Sequence, residues 1–215
     1  MSKKKVVRNG HRPVAPVSWG HSGGGWIEAV VGSMFSGKTQ ELIRRLRLAQ
    51  IARQSVQAFN SALDVRYAKD HIVSHDLTKT PSIAVARSRD ILKRVARDTQ
   101  VVGIDEVQFF DDEVVEVCEK MANEGRRVIV AGLDQDFRGV PFPVTSRLMG
   151  VAEFVTKNLA ICMVCGNPAN RSQRLDGGRK VVDVGAAEKY EARCRRCFRR
   201  GGVRLSNLLN SGQNL

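Results

Sequence analysis

An eight-residue segment near the start of the chain has the pattern of a phosphate-binding loop. Residues 32–39 match the pattern G-x-x-x-x-G-K-[ST]. Its glycines let backbone N–H groups face phosphate oxygens, and the following helix N-terminus adds partial positive charge. We expect Lys38 to reach the β- and γ-phosphates and the Thr39 hydroxyl to bind Mg²⁺. The predicted ATP-site residues here are Gly32, Ser33, Met34, Phe35, Ser36, Gly37, Lys38 and Thr39.

Two adjacent carboxylates follow an apolar run at residues 101–104. Ligands of parallel α/β sheets bind at the carboxyl ends of the strands, so Asp105 should lie beside the phosphate loop and hold Mg²⁺. Glu106 should face the cleft and can accept a proton from an attacking hydroxyl. That hydroxyl can belong to water, as in an ATPase, or to a second substrate, as in a kinase. The two residues alone do not decide between these reactions.

Four of the five cysteines form two C-x-x-C pairs, at Cys162 and Cys165 and at Cys194 and Cys197. Two such pairs can supply four thiolates to one tetrahedral ion. Because no coordination position is then left for water, the spacing favours structural zinc over catalytic zinc. Cys118 lies in an amphipathic segment and is expected to be a core residue.

The apolar spacing predicts the elements that position these residues. Alternating strands and helices indicate a parallel α/β sheet flanked by helices. From about residue 158 cysteine pairs, glycine and arginine dominate, which indicates a small zinc-binding domain after the sheet. Asp111 or Asp112 is expected to cap the third helix. Residues 60–82 are polar and are predicted to form a loop. The predicted strands are 26–31, 55–59, 100–105 and 127–131, and the predicted helices are 39–53, 88–97 and 111–123.

Composition divides the chain into four predicted segments. A basic, glycine-rich tail is expected to be disordered, and it precedes the nucleotide-binding domain, the zinc lid and a flexible C-terminus. The net charge of +13 is carried by the ends, because residues 26–156 are neutral while residues 1–25 and 157–215 carry +5 and +8. This distribution weakens the nucleic-acid-binding interpretation that the total charge suggests. The segments are 1–25, 26–157, 158–204 and 205–215.

Several protein classes are excluded by the sequence. No apolar run approaches the roughly 18 residues that span a bilayer, and the basic N-terminus lacks the apolar region of a secretory signal. Five cysteines in 215 residues are not a disulfide scaffold. Paired thiols that bind a metal are typical of a reducing compartment, so we expect a cytoplasmic protein. From the short apolar runs and the neutral central block, we expect neither a membrane nor a nucleic-acid partner.

The order of these motifs resembles the type II, cytosolic-type, thymidine kinases. The similar segments are the phosphate loop, 105–110, 133–142, 162–165 and 184–197. The last two contain the cysteine pairs, and the resemblance implies that they belong to a small C-terminal zinc-ribbon lid. The resemblance implies transfer of a phosphoryl group from ATP to the 5′-hydroxyl of thymidine. It also implies a homotetramer that is inhibited by the triphosphate end product, dTTP.

The resemblance further implies roles for individual residues. Glu106 stands at the position of the catalytic base, and Tyr190 at that of the lid tyrosine near the nucleoside. Additional residues near the phosphates and metal are Asp64, Arg66, Asp105, Val107 and Gln108. The thymine pocket would be formed by Met34, Phe109, Leu133, Phe137, Phe142, Val181, Asp183, Gly185 and Tyr190.

Two other functions compete with the kinase. One is a zinc-containing, DNA-stimulated P-loop ATPase, which would use the basic charge. Such proteins usually carry the zinc ribbon before the phosphate loop, which is the reverse of the order here. The other is a zinc-ribbon nucleic-acid-binding module with a vestigial nucleotide site. The intact Lys38, Thr39, Asp105 and Glu106 argue against it.

Overall fold

The computed structural model describes residues 24–62, 71–73, 79–175 and 189–200. The helices of this part are α1 (Lys38–Ile51), α2 (Arg89–Arg94), α3 (Val114–Asn123) and α4 (Pro143–Val151), with a short 3₁₀ helix at Val107–Phe109. The strands are β1 (Trp26–Gly32), β2 (Val56–Ser61), β3 (His71–Val73), β4 (Lys79–Pro81), β5 (Ile83–Val85), β6 (Val101–Asp105), β7 (Arg127–Leu133), β8 (Phe154–Asn158), β9 (Ala160–Ile161), β10 (Pro168–Ala169), β11 (Arg171–Arg174) and β12 (Tyr190–Arg193).

Six strands form one parallel sheet in the order β5-β2-β6-β7-β1-β8. Its central strands are buried on both faces because helices cover both, as parallel sheets require. Leu42 and Leu46 of α1 pack on one face, and Val117 and Met121 of α3 pack on the other. A Cβ at Gly103 would lie 2.7 Å from a Leu46 methyl, so the glycine lets α1 approach β6 closely.

The sheet and its flanking helices confirm the predicted fold class, but several elements were missed. Edge strand β5 has only three residues, and β8 includes Thr156, Lys157 and Asn158, so neither produces a long apolar run. Helix α4 was not predicted. The loop predicted at residues 60–82 contains β3 and β4, which pair antiparallel.

The predicted cap of the third helix is wrong. Helix α3 begins at Val114, and its N-cap residue, Glu113, makes no side-chain capping bond. The carboxylate of Asp111 instead accepts a hydrogen bond of 3.1 Å from the backbone N–H of Ser88. It therefore joins the start of α2 to the segment before α3.

A buried ion-pair network joins β1 to α1 and β7. Glu28 is 6% exposed, and its carboxylate accepts hydrogen bonds from Arg45 at 2.7 Å, Arg127 at 2.6 Å and the Trp26 indole at 2.8 Å. Burial acts to raise the pKa of Glu28. The hydrogen bonds from Arg127 and Trp26 more than offset that effect, so the pKa lies below its ordinary value.

The cysteine-rich region forms two short antiparallel pairs, β9 with β10 and β11 with β12. Its small core consists of Ala160, Cys162, Ala169, Ala192 and Cys194. We call residues 160–175 together with 189–200 the zinc module. None of the helices in the described ranges has the length and apolar character needed to span a lipid bilayer.

Candidate functional site

The phosphate loop connects β1 to α1, as the sequence predicts. Gly32 is required by close packing, because a Cβ there would lie 2.3 Å from the carbonyl oxygen of Asn158. Gly37 has a left-handed backbone with φ 77°, which glycine adopts without strain. The Nζ of Lys38 donates a hydrogen bond of 2.8 Å to the carbonyl of Ser33, so this buried lysine lies across the loop. The strand end, the glycine turn, the helix start and the lysine are thus arranged as a phosphate-binding loop requires.

Asp105 lies beside this loop at the carboxyl end of β6. Its Oδ1 is 3.4 Å from the Thr39 hydroxyl, which donates to it. The carboxylate is 6% exposed; burial and then the negative charge of Glu106 raise its pKa to about 7. A buried carboxylate and a hydroxyl next to a phosphate loop form the donor set that Mg²⁺ prefers. The residues therefore fit a magnesium ion shared with a nucleotide.

Glu106 follows Asp105 in an unusual backbone conformation. Its φ of 51° and ψ of 45° are left-handed, which is uncommon for a residue with a side chain. The amide nitrogen of Gln108 donates to the Glu106 carboxylate at 2.5 Å, while the Gln108 oxygen accepts from the Leu133 N–H at 2.9 Å. Gln108 thus fixes the carboxylate relative to the end of β7. Backbone strain of this kind is concentrated at functional sites.

Gly132 makes the Gln108 bridge possible. A Cβ at this position would lie 2.6 Å from the Gln108 oxygen and 2.7 Å from a Val107 methyl. The predicted strand at residues 127–131 ends directly before Gly132, and the sequence alone gives this glycine no further role. A glycine at the end of an apolar strand is the signal for a close approach, but it does not say what approaches.

Three apolar residues assigned to the pocket come from three segments at the same edge of the sheet. Phe109 ends the 3₁₀ helix after β6, and Leu133 ends β7. The backbone of Leu133 pairs with Gly32, two residues before Met34. All three side chains are half-buried at neighbouring strand ends. The structure thus brings Met34, Phe109 and Leu133 to the carboxyl edge that also carries the phosphate loop.

The Asp136 carboxylate stabilises a turn that contains Phe137 and is followed by Phe142. The buried Asp136 carboxylate accepts hydrogen bonds from the backbone N–H groups of Arg138 at 2.8 Å and Val140 at 2.9 Å. Phe137 is buried in this turn, and Phe142 precedes α4. Sequence reasoning missed Asp136, although Asp three residues before Gly139 is a recognisable turn signal.

The zinc module is hydrogen-bonded directly to the phosphate loop. The backbone N–H of Met34 donates to the Ser172 hydroxyl at 3.0 Å, and the Ser33 hydroxyl contacts the Ala169 carbonyl at 3.5 Å. Both contacts join residues more than 130 positions apart in the chain. No sequence pattern marks Ser172 or Ala169, since a long-range contact of this kind depends on the packing of the two parts.

The four predicted metal ligands lie together. All four sulfur atoms of Cys162, Cys165, Cys194 and Cys197 are within 4.8 Å of one another. Two of the distances, from Cys165 to Cys194 and to Cys197, are 3.6 Å. Thiolates bound tetrahedrally at a Zn–S distance of about 2.3 Å lie roughly 3.8 Å apart, so the cluster has the size of a zinc site.

Hydrogen bonds favour the thiolate form of Cys162 and Cys165, whereas the hydrogen bond with Cys165 raises the pKa of Cys197. Burial acts to raise the pKa of Cys162, but backbone hydrogen bonds from Cys194, Val164 and Cys165 outweigh it and lower the pKa to about 6. The Asn167 amide donates to Cys165 at 3.3 Å. Cys118 is buried in the main core on α3, as predicted, and burial raises its pKa.

The remaining predicted site residues lie in ranges that the structure does not describe. They are Asp64, Arg66, Val181, Asp183 and Gly185. Tyr190 is described; it opens β12 and lies opposite Arg174.

Comparison with known proteins identifies the family. The profile of the thymidine kinase family matches residues 25–198. A thymidine kinase from Rhodothermus sp. (strain ITI 518) is 54% identical over 187 residues, which span 86% of this chain and 87% of the relative.

Two solved structures show weak similarity to this chain. The genome packaging NTPase B204 from Sulfolobus turreted icosahedral virus 2 is 15% identical, with 66% of this chain and 76% of that chain covered and a TM-score of 0.38. Domain III of the Thermotoga maritima replication initiation protein DnaA is 16% identical, with 64% and 56% covered and a TM-score of 0.36. Scores this low carry no argument about the fold.

Proposed function

The chain belongs to the thymidine kinase family, and we infer that it transfers the γ-phosphoryl group of ATP to the 5′-hydroxyl of thymidine. Family membership establishes thymidine phosphorylation. The structure supports the assignment of roles through one observation above all. The hydrogen bond between Thr39 and Asp105 joins the phosphate loop to the strand end that carries Glu106.

We propose that the nucleotide side of the site is formed by the loop and its acidic neighbour. Backbone N–H groups of residues 33–38 and the Lys38 ammonium would hold the phosphates of ATP. Thr39 and Asp105 would hold Mg²⁺, which neutralises charge that develops on the transferred phosphoryl group. Asp64, Arg66, Val107 and Gln108 would complete this side, as the family resemblance implies.

Glu106 would act as the general base. It accepts the proton of the thymidine 5′-hydroxyl as that oxygen bonds to the γ-phosphorus. The bond from the γ-phosphorus to the bridging oxygen breaks at the same time, and ADP leaves with the bond's electron pair. The Gln108 amide supports this role because it fixes the carboxylate before substrate arrives.

The nucleoside would lie against the apolar edge described above. Met34, Phe109, Leu133, Phe137 and Phe142 would form its walls, which exclude the water that would otherwise hydrolyse ATP. Tyr190, Val181, Asp183 and Gly185 would supply the contacts from the lid side. Zinc held by the four cysteines would stabilise the lid and take no part in the chemical step.

Assembly, regulation and location are also proposals. Strand β8 supports assembly, because this edge strand exposes the side chains of Phe154 and Val155. Unpaired strand edges with exposed apolar residues are typical of interfaces between chains. We propose a cytoplasmic homotetramer, inhibited by dTTP, with no membrane or nucleic-acid partner.

ADP release separates the kinase from the DNA-stimulated ATPase that the sequence left open. With ATP and Mg²⁺, we expect ADP to form at a rate that depends on thymidine and is low without it. Single-stranded DNA should leave the rate unchanged. Stimulation by single-stranded DNA without any response to thymidine would overturn the kinase assignment.

A further inference from the structure

Arg174 is among the most deeply buried side chains of the described residues. It ends β11 in the zinc module, and it is 2% exposed. A guanidinium stays charged at any pH that a protein tolerates, and such groups are rarely buried without dedicated partners. Its position therefore calls for an explanation that packing alone does not supply.

The guanidinium contacts two aromatic rings that come from different parts of the chain. Its central carbon lies 5.1 Å from the ring centroid of Phe137 and 5.7 Å from that of Tyr190. Both distances are within the range of cation–π attraction, which is strongest where water is excluded. Tyr190 lies opposite Arg174 on β12, whereas Phe137 belongs to the turn after β7.

We propose that Arg174 is a positioning residue for the nucleoside pocket, because it holds Phe137 and Tyr190 in a fixed relation to each other. The inference rests on the proposed function, which assigns both rings to that pocket. Arg174 acts through the rings and is not a catalytic residue.

Each end of this link is anchored. Next to Arg174, the Gln173 side chain donates to the Arg199 carbonyl at 3.0 Å and accepts from the Arg199 N–H at 2.7 Å. Arg199 follows the second cysteine pair, so β11 is tied to the metal-binding end of the zinc module. Asp136 fixes the turn that carries Phe137. The guanidinium is thus a direct connection between the zinc module and the turn that follows β7.

Two substitutions of Arg174 test the proposal. Arg174→Met keeps length and apolar character but loses the charge, and Arg174→Lys keeps the charge but loses the planar group. We expect Arg174→Met to raise the KM for thymidine about tenfold, equivalent to about 1.4 kcal/mol, with the KM for ATP nearly unchanged. Arg174→Lys should recover part of the loss.

Arg193 provides the matched control. It lies on the partner strand β12, is buried to a similar degree, and bonds to Glu191 and to the Cys197 carbonyl instead of to the aromatic rings. Arg193→Met should lower Tm without a selective change in the KM for thymidine. The proposal is overturned if Arg193→Met raises the KM for thymidine as selectively as Arg174→Met does. It is also overturned if Arg174→Met raises the KM for thymidine and the KM for ATP equally. If Arg174→Met does not fold, Arg174→Lys tests the proposal instead. An unchanged KM for thymidine in Arg174→Lys would overturn the proposal.

Substitutions of the rings separate this inference from the pocket assignment. If Phe137→Ala and Tyr190→Ala both leave the KM for thymidine unchanged, the assignment of the rings to the pocket is wrong. If they raise it and the Arg174 variants do not, only the role of Arg174 is wrong. Combined with Arg174→Met, Phe137→Ala should add less than its separate effect, because both changes remove the same contact.

Discussion

At the scale of single residues, Glu106 combines a reactive group with a left-handed backbone. The strained conformation turns the carboxylate out of the line of β6, and the Gln108 amide then holds it. A flexible carboxylate would spend most of its time away from the reacting hydroxyl. In the proposed role of general base, Glu106 would therefore have part of its catalytic effect set in the backbone before any substrate binds.

Replacing Glu106 by glutamine should remove the base while keeping the size of the side chain. We expect thymidine phosphorylation to fall by about 10²–10⁴-fold, the usual effect of losing a general base. Binding of ATP should persist, because the phosphate loop is unchanged. Steady-state rates and nucleotide titration measure the two properties.

Glu119→Gln is the control for Glu106→Gln, since this carboxylate is exposed on α3, outside the site. Its activity should equal that of the unmodified enzyme. Near-normal phosphorylation by Glu106→Gln would show that another group accepts the proton.

The residue patterns predicted the reactive groups well but did not predict the contacts that those groups make. The phosphate loop, the acidic pair and the four cysteines each have a fixed local spacing, so the sequence alone was enough to find them. Gln108 was assigned only through the family, and its bridge from Glu106 to Leu133 was not foreseen. Ser172 and Arg174 act through partners far away in the chain, and a single sequence holds no record of such distances.

At the scale of elements, the ion-pair network around Glu28 joins α1 to the sheet. Glu28 lies on β1, directly before the phosphate loop, and pairs with Arg45 of α1 and Arg127 of β7. Arg127 pairs with this carboxylate from β7, and Arg45 bridges it to Glu41 of its own helix at 2.7 Å. The three elements therefore share one buried electrostatic network next to the phosphate loop.

Glu28→Gln should lower the free energy of unfolding near neutral pH by about 3 kcal/mol. This is the lower end for breaking a buried ion pair, because Arg127 keeps some contact with solvent. The pKa of Glu28 is depressed in the folded protein, so its contribution is present above the ordinary value of 4.5 and is lost as pH falls further. The difference between the two proteins should therefore shrink below about pH 4.5, as measured by urea unfolding.

Glu116→Gln is the comparison for Glu28→Gln, because it breaks an exposed pair with Arg147. Exposed pairs contribute little, so no measurable change is expected. A constant difference between Glu28→Gln and the unmodified protein across the whole pH range would contradict the ionic origin of the effect.

Elements in the centre of the sheet were predictable, and those at its edges were not. β6 and β7 are buried on both faces and consist of nearly continuous apolar residues, which is a strong pattern. β5 and β8 each have one neighbour and a weaker pattern. Their places in the sheet are decided by the strands beside them, and not by their own sequences.

At the scale of the whole molecule, the zinc module is the part of the described chain that has a very small core. Only five side chains make up that core, and two of them are cysteines of the metal cluster. So few apolar groups cannot offset the entropy of ordering the segment, and zinc bound by the four cysteines, as proposed above, would supply the difference.

Elemental analysis of freshly purified, reduced protein should give one zinc per chain. Cys194→Ser should lose the ion, lower Tm and reduce activity toward thymidine, because the module contacts the phosphate loop through Ser172. Cys118→Ala should keep one zinc per chain, since this cysteine lies in the main core. A zinc-free, fully active and stable Cys194→Ser protein would contradict the structural role of the metal.

The place of β1 in the sheet has a consequence for synthesis on the ribosome. β1 is the first strand of the sheet to be made, but its neighbours, β7 and β8, are the last. Gly32, at the start of the phosphate loop, pairs with Leu133 on one side and Asn158 on the other. A growing chain therefore carries its phosphate loop without either flanking strand until Leu133 has been translated, and without both until Asn158 has been translated. The nucleotide site is thus completed long after its first segment has left the ribosome.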